Sequence, residues 1–447
     1  MSAVERAEAA LAAIETWEPV VNAFTAVHGD DARARAAELD PAAQGAAGPL
    51  AGVPVAVKDT LWMAGRRCTR GSRAFADFVP DEDAVAVRRL RAAGAVIVGQ
   101  TTNPELCFRG VTESALFGVT RNPHDPSRAA GGSSGGSGAA VAYGAVPIAL
   151  GTDGGGSIRI PAAFCGVVGH KPTFGLVPVT PGFRGWETLS VVGPLAATVA
   201  DARAALRVLA GPDPSDAAGL PGGAALVDAP VAPVEDLRIA ASADLGHLPV
   251  DPGVRAAFET AVGEMSAAGW RIERAHPDPV QAEPLWNAIA VPEGYAADRG
   301  LLERPDLLEA DTARLIEAGA DASGTDYLDA QWARAAYTAG YQALLAEYDV
   351  LLTPTMQVTA LPTGVLAPAE IDGRPVDQFF DDWCSLCLPA NLTGMPATSV
   401  PCGYDDAGLP VGLLVTGPRG GDALTLAVAE AWEARFRPRL RRPAAPT

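Results

Sequence analysis

The sequence is short of lysine and has no basic run. Lysine stands at only two of the 447 positions, so nearly all of the 34 basic residues are arginines, and 53 acidic residues give a formal net charge of −19. Nucleic acids and anionic membranes bind proteins through clustered positive charge, which is missing here. We therefore expect no nucleic-acid partner and no membrane partner, and we interpret the charge as favouring solubility.

Cysteine and long apolar runs are also scarce. Six cysteines in 447 residues are too few for a disulfide framework. Cys384 and Cys387 form a CxxC pair, but no second pair or nearby histidine completes a metal site, so we predict buried thiols and no metal. No apolar run reaches the ~18 residues of a membrane span, and the acidic start is unlike a signal peptide. These absences predict a cytoplasmic protein.

The two lysines that are present, Lys58 and Lys171, are the first candidates for chemistry. Arginine cannot lose its proton in a protein, whereas a buried lysine can, so a chain rich in arginine keeps lysine where an uncharged amine is useful. Lys58 follows a short apolar run at residues 53–57 and precedes Asp59. Taken alone, Lys58 is equally consistent with a structural ion pair to Asp59, and Lys171 with bonds to backbone carbonyls.

Short buried strands alternate with helical segments along the chain. This alternation predicts an α/β protein with one large domain and a sheet covered on both faces by helices. We predict helices within 1–40 and at 83–93, 201–209, 252–268 and 423–436, strands at 53–57, 95–98, 237–241, 271–274, 350–352 and 412–415, and a mostly helical region at 280–345.

Two glycine-rich serine loops, residues 131–138 and 151–157, flank an apolar segment long enough for a helix and a strand. Glycine clusters indicate turns or close approach of the backbone to a ligand. A phosphate loop is excluded because the chain has no GxxxxGK[ST] motif. The segment from Gly131 to Gly135 fits the G-x-S-x-G pattern of an esterase nucleophile elbow, but no buried strand precedes it, so this function is a remote alternative.

The remaining interpretation joins both loops to the lysine. Lys58, Ser133 and Ser157 form a relay in which Ser157 is the nucleophile and an uncharged Lys58 is the base. The backbone N–H groups of Gly154, Gly155, Gly156 and Ser157 face an oxyanion, since glycine leaves the approach open.

Four segments carry a resemblance to a known family: residues 48–59, 131–142, 151–178 and 391–403. On these motifs the chain resembles the amidase signature family. The resemblance implies a single domain with a mixed, twisted sheet, made of N-terminal helices (1–50), a signature core (51–210), a variable, largely helical, substrate-facing region (211–345) and C-terminal strands and a helix (346–447). It places the family's base on Lys58, its relay serine on Ser133 after a cis peptide bond, and its acylated serine on Ser157.

The function that the resemblance implies is hydrolysis of a linear carboxylic amide to a carboxylate and ammonia or an amine, without a cofactor. The alternative within the family is the glutamine-hydrolysing subunit of a tRNA-dependent amidotransferase. The expected partner is a small amide, with a homodimer suggested by relatives. Two departures stand out: Gln100 and Thr102 replace the lysine and asparagine of many relatives, and Gly154 replaces threonine or isoleucine, which predicts a looser or wider oxyanion loop.

Supporting residues are predicted around the relay. We expect Ser134 to be a hydrogen-bonding neighbour of Ser133, and Asp153 and Arg159 to form a buried pair that orients the nucleophile loop. A substrate pocket is predicted from four apolar side chains near the motifs: Trp62, Met63, Phe183 and Trp186.

Overall fold

The computed structural model describes residues 1–42, 48–377 and 382–446. In this part of the chain eleven strands form one mixed sheet. They are β1 (Phe24–Val27), β2 (Pro54–Lys58), β3 (Val96–Thr101), β4 (Ile148–Asp153), β5 (Val168–Lys171), β6 (Val191–Ala196), β7 (Arg238–Ala241), β8 (Arg271–Arg274), β9 (Val350–Pro354), β10 (Ala397–Tyr404) and β11 (Pro410–Thr416). Their spatial order is β1-β3-β2-β4-β6-β5-β10-β11-β9-β7-β8.

Helices flank this sheet. They are α1 (Ala3–Val21), α2 (Gly29–Ala42), α3 (Val85–Ala92), α4 (Gly135–Ala142), α5 (Arg159–Cys165), α6 (Val199–Leu209), α7 (Ala224–Val227), α8 (Pro252–Ala267), α9 (Glu283–Asp298), α10 (Ala310–Glu317), α11 (Gly324–Glu347), α12 (Leu388–Leu392) and α13 (Asp422–Phe436). The prediction of a single α/β domain with a large mixed sheet covered by helices is confirmed. No helix among the described residues is both long and apolar enough to cross a membrane.

Local sequence explains why the first helix forms where it does. Ser2 and Glu5 make reciprocal side-chain and backbone hydrogen bonds that cap the N-terminus of α1. Ala7, Leu11 and Ile14, spaced by three or four residues, are buried along one face. The helix therefore packs this stripe on the sheet, while Glu5, Glu8 and Glu15 are exposed.

Alternation along the central strands produces two hydrophobic cores. In β2, Val55 and Val57 belong to the core under α3, α6, α8 and α13, whereas Ala56 belongs to the core under α1, α2 and α4. Side chains of successive strand residues point to opposite faces, so a strand covered on both faces reads as a continuous apolar run. This explains why residues 53–57 predicted a buried strand.

One edge of the sheet gathers the sequence motifs. Strand β2 runs parallel to β4, with Val57 opposite Leu150. Parallel neighbours end at the same edge, so Lys58 at the end of β2 lies beside Thr152 and Asp153 at the end of β4. The loops before α4 and after β4 reach the same edge, which is where an active site is expected in sheets of this type.

Candidate active site

The amine of Lys58 lies at the centre of the candidate site. Its side chain is fully buried, and Nζ donates hydrogen bonds to Ser133 Oγ at 2.7 Å and to Thr152 Oγ1 at 2.9 Å. Both acceptors are hydroxyl groups, so neither bond supplies the negative charge that a buried ammonium requires. Burial lowers the pKa of Lys58 below its ordinary value and outweighs the opposing effects of Cys107 and Asp153. An uncharged amine in hydrogen-bond contact with a serine can accept its proton.

The loop before α4 presents Ser133 to this amine. The peptide bond between Gly132 and Ser133 is cis, as the resemblance implies. Ser134 ties the loop to its neighbours: its backbone N–H donates to Ser157 O at 3.1 Å, and its Oγ lies 3.3 Å from both the backbone N and the backbone O of Thr152. Ser134 thus joins the two glycine-rich loops.

The loop that carries Ser157 is held by a buried ion pair. Asp153 accepts two hydrogen bonds from Arg159, at 2.9 and 2.8 Å, and one from Asn391 Nδ2 at 2.9 Å. Burial acts to raise the pKa of Asp153, but the charge and bonds of Arg159 outweigh it and hold this pKa below its ordinary value. The carboxylate also accepts from the backbone N–H groups of Gly156 and Ile158, which fixes the turn around Ser157.

The backbone N–H groups of this turn differ in what they can offer an oxyanion. The Gly156 N–H donates to Asp153 Oδ1 at 2.8 Å, so it is engaged within the protein, contrary to its predicted role. In the described part of the chain the N–H groups of Gly154, Gly155 and Ser157 donate to no protein acceptor. Ser157 and Gly154 also line the adjoining cavity. The geometry thus favours the N–H groups on either side of Gly156.

A cavity of about 510 Å³ opens beside Ser133 and Ser157. Its volume is within the range of small-ligand sites. Trp62, Phe183 and Trp186, three residues of the predicted substrate pocket, line it. Met63 does not: its side chain is buried and lies at a separate cleft. Trp62 lines the cavity and Met63 does not. The prediction was made from apolar character alone, which the two residues share and which does not show the direction of a side chain.

Trp186 occupies the space that Gly154 leaves. A Cβ at position 154 would lie 2.9 Å from Cε3 of the Trp186 ring, closer than real contacts of this kind. On the other side, Trp286 Nε1 donates to Gly154 O at 2.8 Å, and the two indole rings are 6.0 Å apart. The prediction of a looser loop at Gly154 is wrong, because aromatic side chains from distant segments pack against the glycine.

Contacts in the structure decide between the structural and the catalytic interpretations of the residues in the motifs. Asp59 accepts bonds from Thr69 and from Gln100 Nε2, so it is no ion-pair partner of Lys58. Lys171 Nζ donates to the carbonyl of Pro172 at 2.9 Å, as the structural interpretation predicts.

All six cysteines are buried thiols. Cys387 donates to Thr355 O, and burial raises its pKa to about 12. The described residues contain no cluster of three or more metal-ligating side chains.

The esterase alternative finds no support at Ser133. In the part of the cavity lining that the structure describes, no histidine is present, and the bonded partner of Ser133 Oγ is Lys58. A nucleophile elbow requires a histidine base.

Four contributors to the site were missed by sequence reasoning. Thr152 and Asn391 lie inside quoted motifs, at residues 151–178 and 391–403, so their position was a usable signal. Arg70 and Trp286 had no such signal, because one is an arginine among many and the other lies in the segment least like the family. Both reach the site only through the tertiary fold.

Comparison with known proteins identifies the family. The family model described as Amidase matches residues 5–426. The chain belongs to the amidase family. Among curated relatives, the A subunit of the glutamyl-tRNA(Gln) amidotransferase of Symbiobacterium thermophilum is 38% identical over 465 residues, covering 97% of this chain and 93% of the relative.

Solved structures of the amidase family share the whole fold. A bacterial aryl acylamidase of the amidase signature family has a TM-score of 0.89 at 30% identity, with 97% of this chain and 93% of that chain covered. The A subunit of the glutamyl-tRNA(Gln) amidotransferase of Thermotoga maritima has a TM-score of 0.79 at 29% identity, with coverage of 100% and 95%. The amidase signature resemblance seen in the motifs is therefore confirmed across the chain.

Proposed function

We propose that this protein hydrolyses the C–N bond of a carboxylic amide through a seryl acyl-enzyme. The observation that carries the proposal is the buried Lys58 amine, bonded to Ser133 and to no carboxylate. A lysine in that position holds its proton weakly, so it serves as the base of a serine relay. Membership of the amidase family supports the same chemistry.

The proposed sequence begins with attack on the amide carbon. Ser157 Oγ forms the new C–O bond while its proton passes to Ser133 Oγ and the Ser133 proton passes to Lys58 Nζ. The N–H groups of Gly154, Gly155 and Ser157 are the candidate donors to the oxyanion, whereas Gly156 acts through its bond to Asp153. The proton then returns through Ser133 to the leaving nitrogen and the C–N bond breaks. Water cleaves the ester by the same relay, which regenerates Ser157.

A test of this proposal identifies both the product and the acylated residue. We expect purified protein, in buffer with EDTA, to release ammonia or amine from primary amides and anilides, and mass spectrometry to find the acyl group on the peptide that contains Ser157. Ser157→Ala should abolish the adduct. An adduct on Ser133, or hydrolysis that leaves no acyl-enzyme and persists in Ser157→Ala, would overturn the assignment.

A second candidate is the glutamine-hydrolysing subunit of an amidotransferase. The observation that favours it is the name of the curated relatives, which are amidotransferase A subunits at 35–38% identity in the examples from Symbiobacterium and Chloroflexus. We expect this candidate to appear as a kcat/KM for glutamine well above that for pentanamide, with a further rise when partner subunits and tRNA are added. Equal rates on the two amides would favour a stand-alone amidase, and light scattering would then test the proposed homodimer.

A further inference from the structure

The inner part of the cavity carries one buried positive charge. Of the charged residues described along its lining, Glu82, Arg184 and Glu187 are exposed, whereas Arg70 is only 6% exposed. Exposed charges at a mouth are screened by solvent and salt, and a buried guanidinium is screened much less. Among the charged side chains of the described lining, Arg70 is therefore the one that solvent screens least.

Contacts on two sides hold the Arg70 guanidinium in place. Nη1 donates to Asp298 Oδ1 at 2.7 Å, and the guanidinium carbon lies 5.5 Å from the centroid of the Phe183 ring. Asp298 is itself buried, at the end of α9. An ion pair combined with a cation–π contact fixes both the position and the plane of the group. A fixed plane is what bidentate recognition of a carboxylate requires.

Most of the donors of Arg70 remain unused. A guanidinium has five N–H groups, and the described residues supply one acceptor, Asp298 Oδ1. The remaining guanidinium nitrogens of Arg70 are not among the fully buried polar atoms of the described residues that lack a partner. They are therefore accessible from the cavity that Arg70 lines. A buried arginine with free donors facing a ligand space is a binding group that awaits an acceptor.

Backbone geometry around the cavity points the same way. Arg70 has a φ of 51°, and Leu106, Cys107 and Trp186, which line the same cavity, also have positive φ. Residues other than glycine rarely adopt a positive φ, and those that do are concentrated at functional sites.

We infer that Arg70 binds a carboxylate of the substrate, so that the amides preferred by this protein carry a carboxylate at the end remote from the scissile bond. The inference rests on the proposed amide hydrolysis at Ser157. Charge-assisted bidentate bonds between arginine and carboxylate are stronger than neutral hydrogen bonds and geometrically selective. A neutral amide of equal length leaves the Arg70 donors without an acceptor.

The test compares two primary amides that differ in one group. Glutaramate and pentanamide have the same chain length, with a carboxylate in the first and a methyl group in the second. We expect the wild-type protein to favour glutaramate in kcat/KM, measured by ammonia release. Arg70→Met should reduce the ratio of the two kcat/KM values by roughly tenfold to a hundredfold, the range for hydrogen bonds to charged groups.

Matched variants isolate the effect. Arg73→Met removes the same charge from an exposed residue three positions along, outside the cavity lining, and should leave the ratio unchanged. Because Arg70→Met leaves Asp298 buried without its partner, Arg70→Met with Asp298→Leu provides a second variant without that defect, and the ratio should fall equally.

Three results would overturn the inference: a wild-type ratio of one or less, a ratio that survives both Arg70 variants, or a loss of preference in Arg184→Met instead. Each of these leaves pentanamide hydrolysis through the Ser157 adduct intact, so the proposed function stands. Failure of the proposed function is distinct, since it appears as absence of the adduct on both amides.

Discussion

At Lys58, the ordinary preference of lysine for positive charge is opposed by its surroundings. The side chain is fully buried, and its hydrogen-bond partners are the hydroxyls of Ser133 and Thr152. Asp153, a carboxylate whose charge acts on the amine, is already neutralised by Arg159. The free energy of charging an amine is therefore unfavourable here, and the neutral form is favoured at a lower pH than in water.

This environment predicts the pH dependence of catalysis. Since the base is active when deprotonated and its pKa is lowered by burial, kcat/KM should rise with pH to a plateau, with a midpoint below the ordinary lysine value of 10.5. Lys58→Arg, which keeps the charge, should lower kcat/KM by roughly 10²–10⁴-fold, as loss of a general base does. Stopped assays from pH 5 to 10 measure both. Lys171→Met, at the other lysine, should keep the rising limb; a flat wild-type profile would rule out Lys58 as the base.

At Asp59, the next residue along the chain, a shifted pKa links protonation of the carboxyl to the stability of the fold. Burial raises its pKa from 3.8 to about 7. Between these values the folded state holds a proton that the unfolded state has lost, so this residue's contribution to stability is complete below pH 3.8 and declines as pH rises toward 7. Gln100, in place of the lysine of many relatives, gives Asp59 a hydrogen bond but no charge.

Asp59→Asn should remove that decline. In urea unfolding at pH 4.5, 5.5, 6.5 and 7.5, the free energy of unfolding of the wild type should fall relative to the variant by up to about 1.4 kcal/mol per pH unit. The subtraction cancels the other titrating groups, which both proteins share. Parallel curves over the whole range would show that the Asp59 carboxyl is ionised in the folded protein.

At the scale of elements, the turn after β4 depends on contacts from far along the chain. Trp186 fills the space beside Gly154, and Trp286 of α9 donates to its carbonyl. Because a side chain at position 154 meets an indole ring instead of open space, the turn and the cavity wall are packed as one unit.

Gly154→Ala should accordingly lower kcat/KM by displacing Trp186, with roughly a tenfold loss if the oxyanion donors move. In a Trp186→Ala background, Gly154→Ala should lower kcat/KM by less than it does in the wild type, since the ring that the new methyl group would meet is gone. Gly263→Ala in α8 is the matched control: its Cβ would meet no atom within 4 Å, so activity should be unchanged. An undiminished rate in Gly154→Ala would mean that the turn tolerates the shift.

The sequence predicted those helices and strands whose own residues show a clear local pattern. Strand β2 was predicted from its apolar run, and α8 from its apolar spacing after Pro252. Strands β6 and β10 were missed because each contains proline, at Pro194 and Pro401, which normally argues against a strand interior. Strand β10 accommodates its proline beside a bulge between Pro401 and Gly403.

The same division applies to the site. Lys58, Ser133 and Ser157 stand in motifs with fixed spacing, so their convergence at one sheet edge was predictable, and the structure brings Lys58 and Ser133 into contact. Arg70 and Asp298 are 228 residues apart, and only the packing of α9 on the signature core joins them. A single sequence carries no local signal for such a pair.

For the whole molecule, the order of strands makes the C-terminal hairpin the junction of two halves. Strands β1 to β6 come from residues 24–196 and β7 to β9 from residues 238–354, and β10 with β11 is inserted between β5 and β9. Within the described residues, the strands of the two halves are joined in one sheet only through residues 397–416. We therefore expect this hairpin to couple the folding of the two halves.

Leu413→Ala tests that coupling. Leu413 in β11 is fully buried between Val400 of β10 and Pro354 of β9, so its truncation should cost about 2–5 kcal/mol. If the sheet unfolds as one cooperative unit, hydrogen exchange in urea should show peptides from β2 and from β7 losing protection at the same concentration, both shifted equally by the substitution. Leu328→Ala, at an exposed position of α11, should shift neither. A shift confined to β7 would mean that the halves unfold independently, because the loss at the junction would then reach only the strands on one side of it.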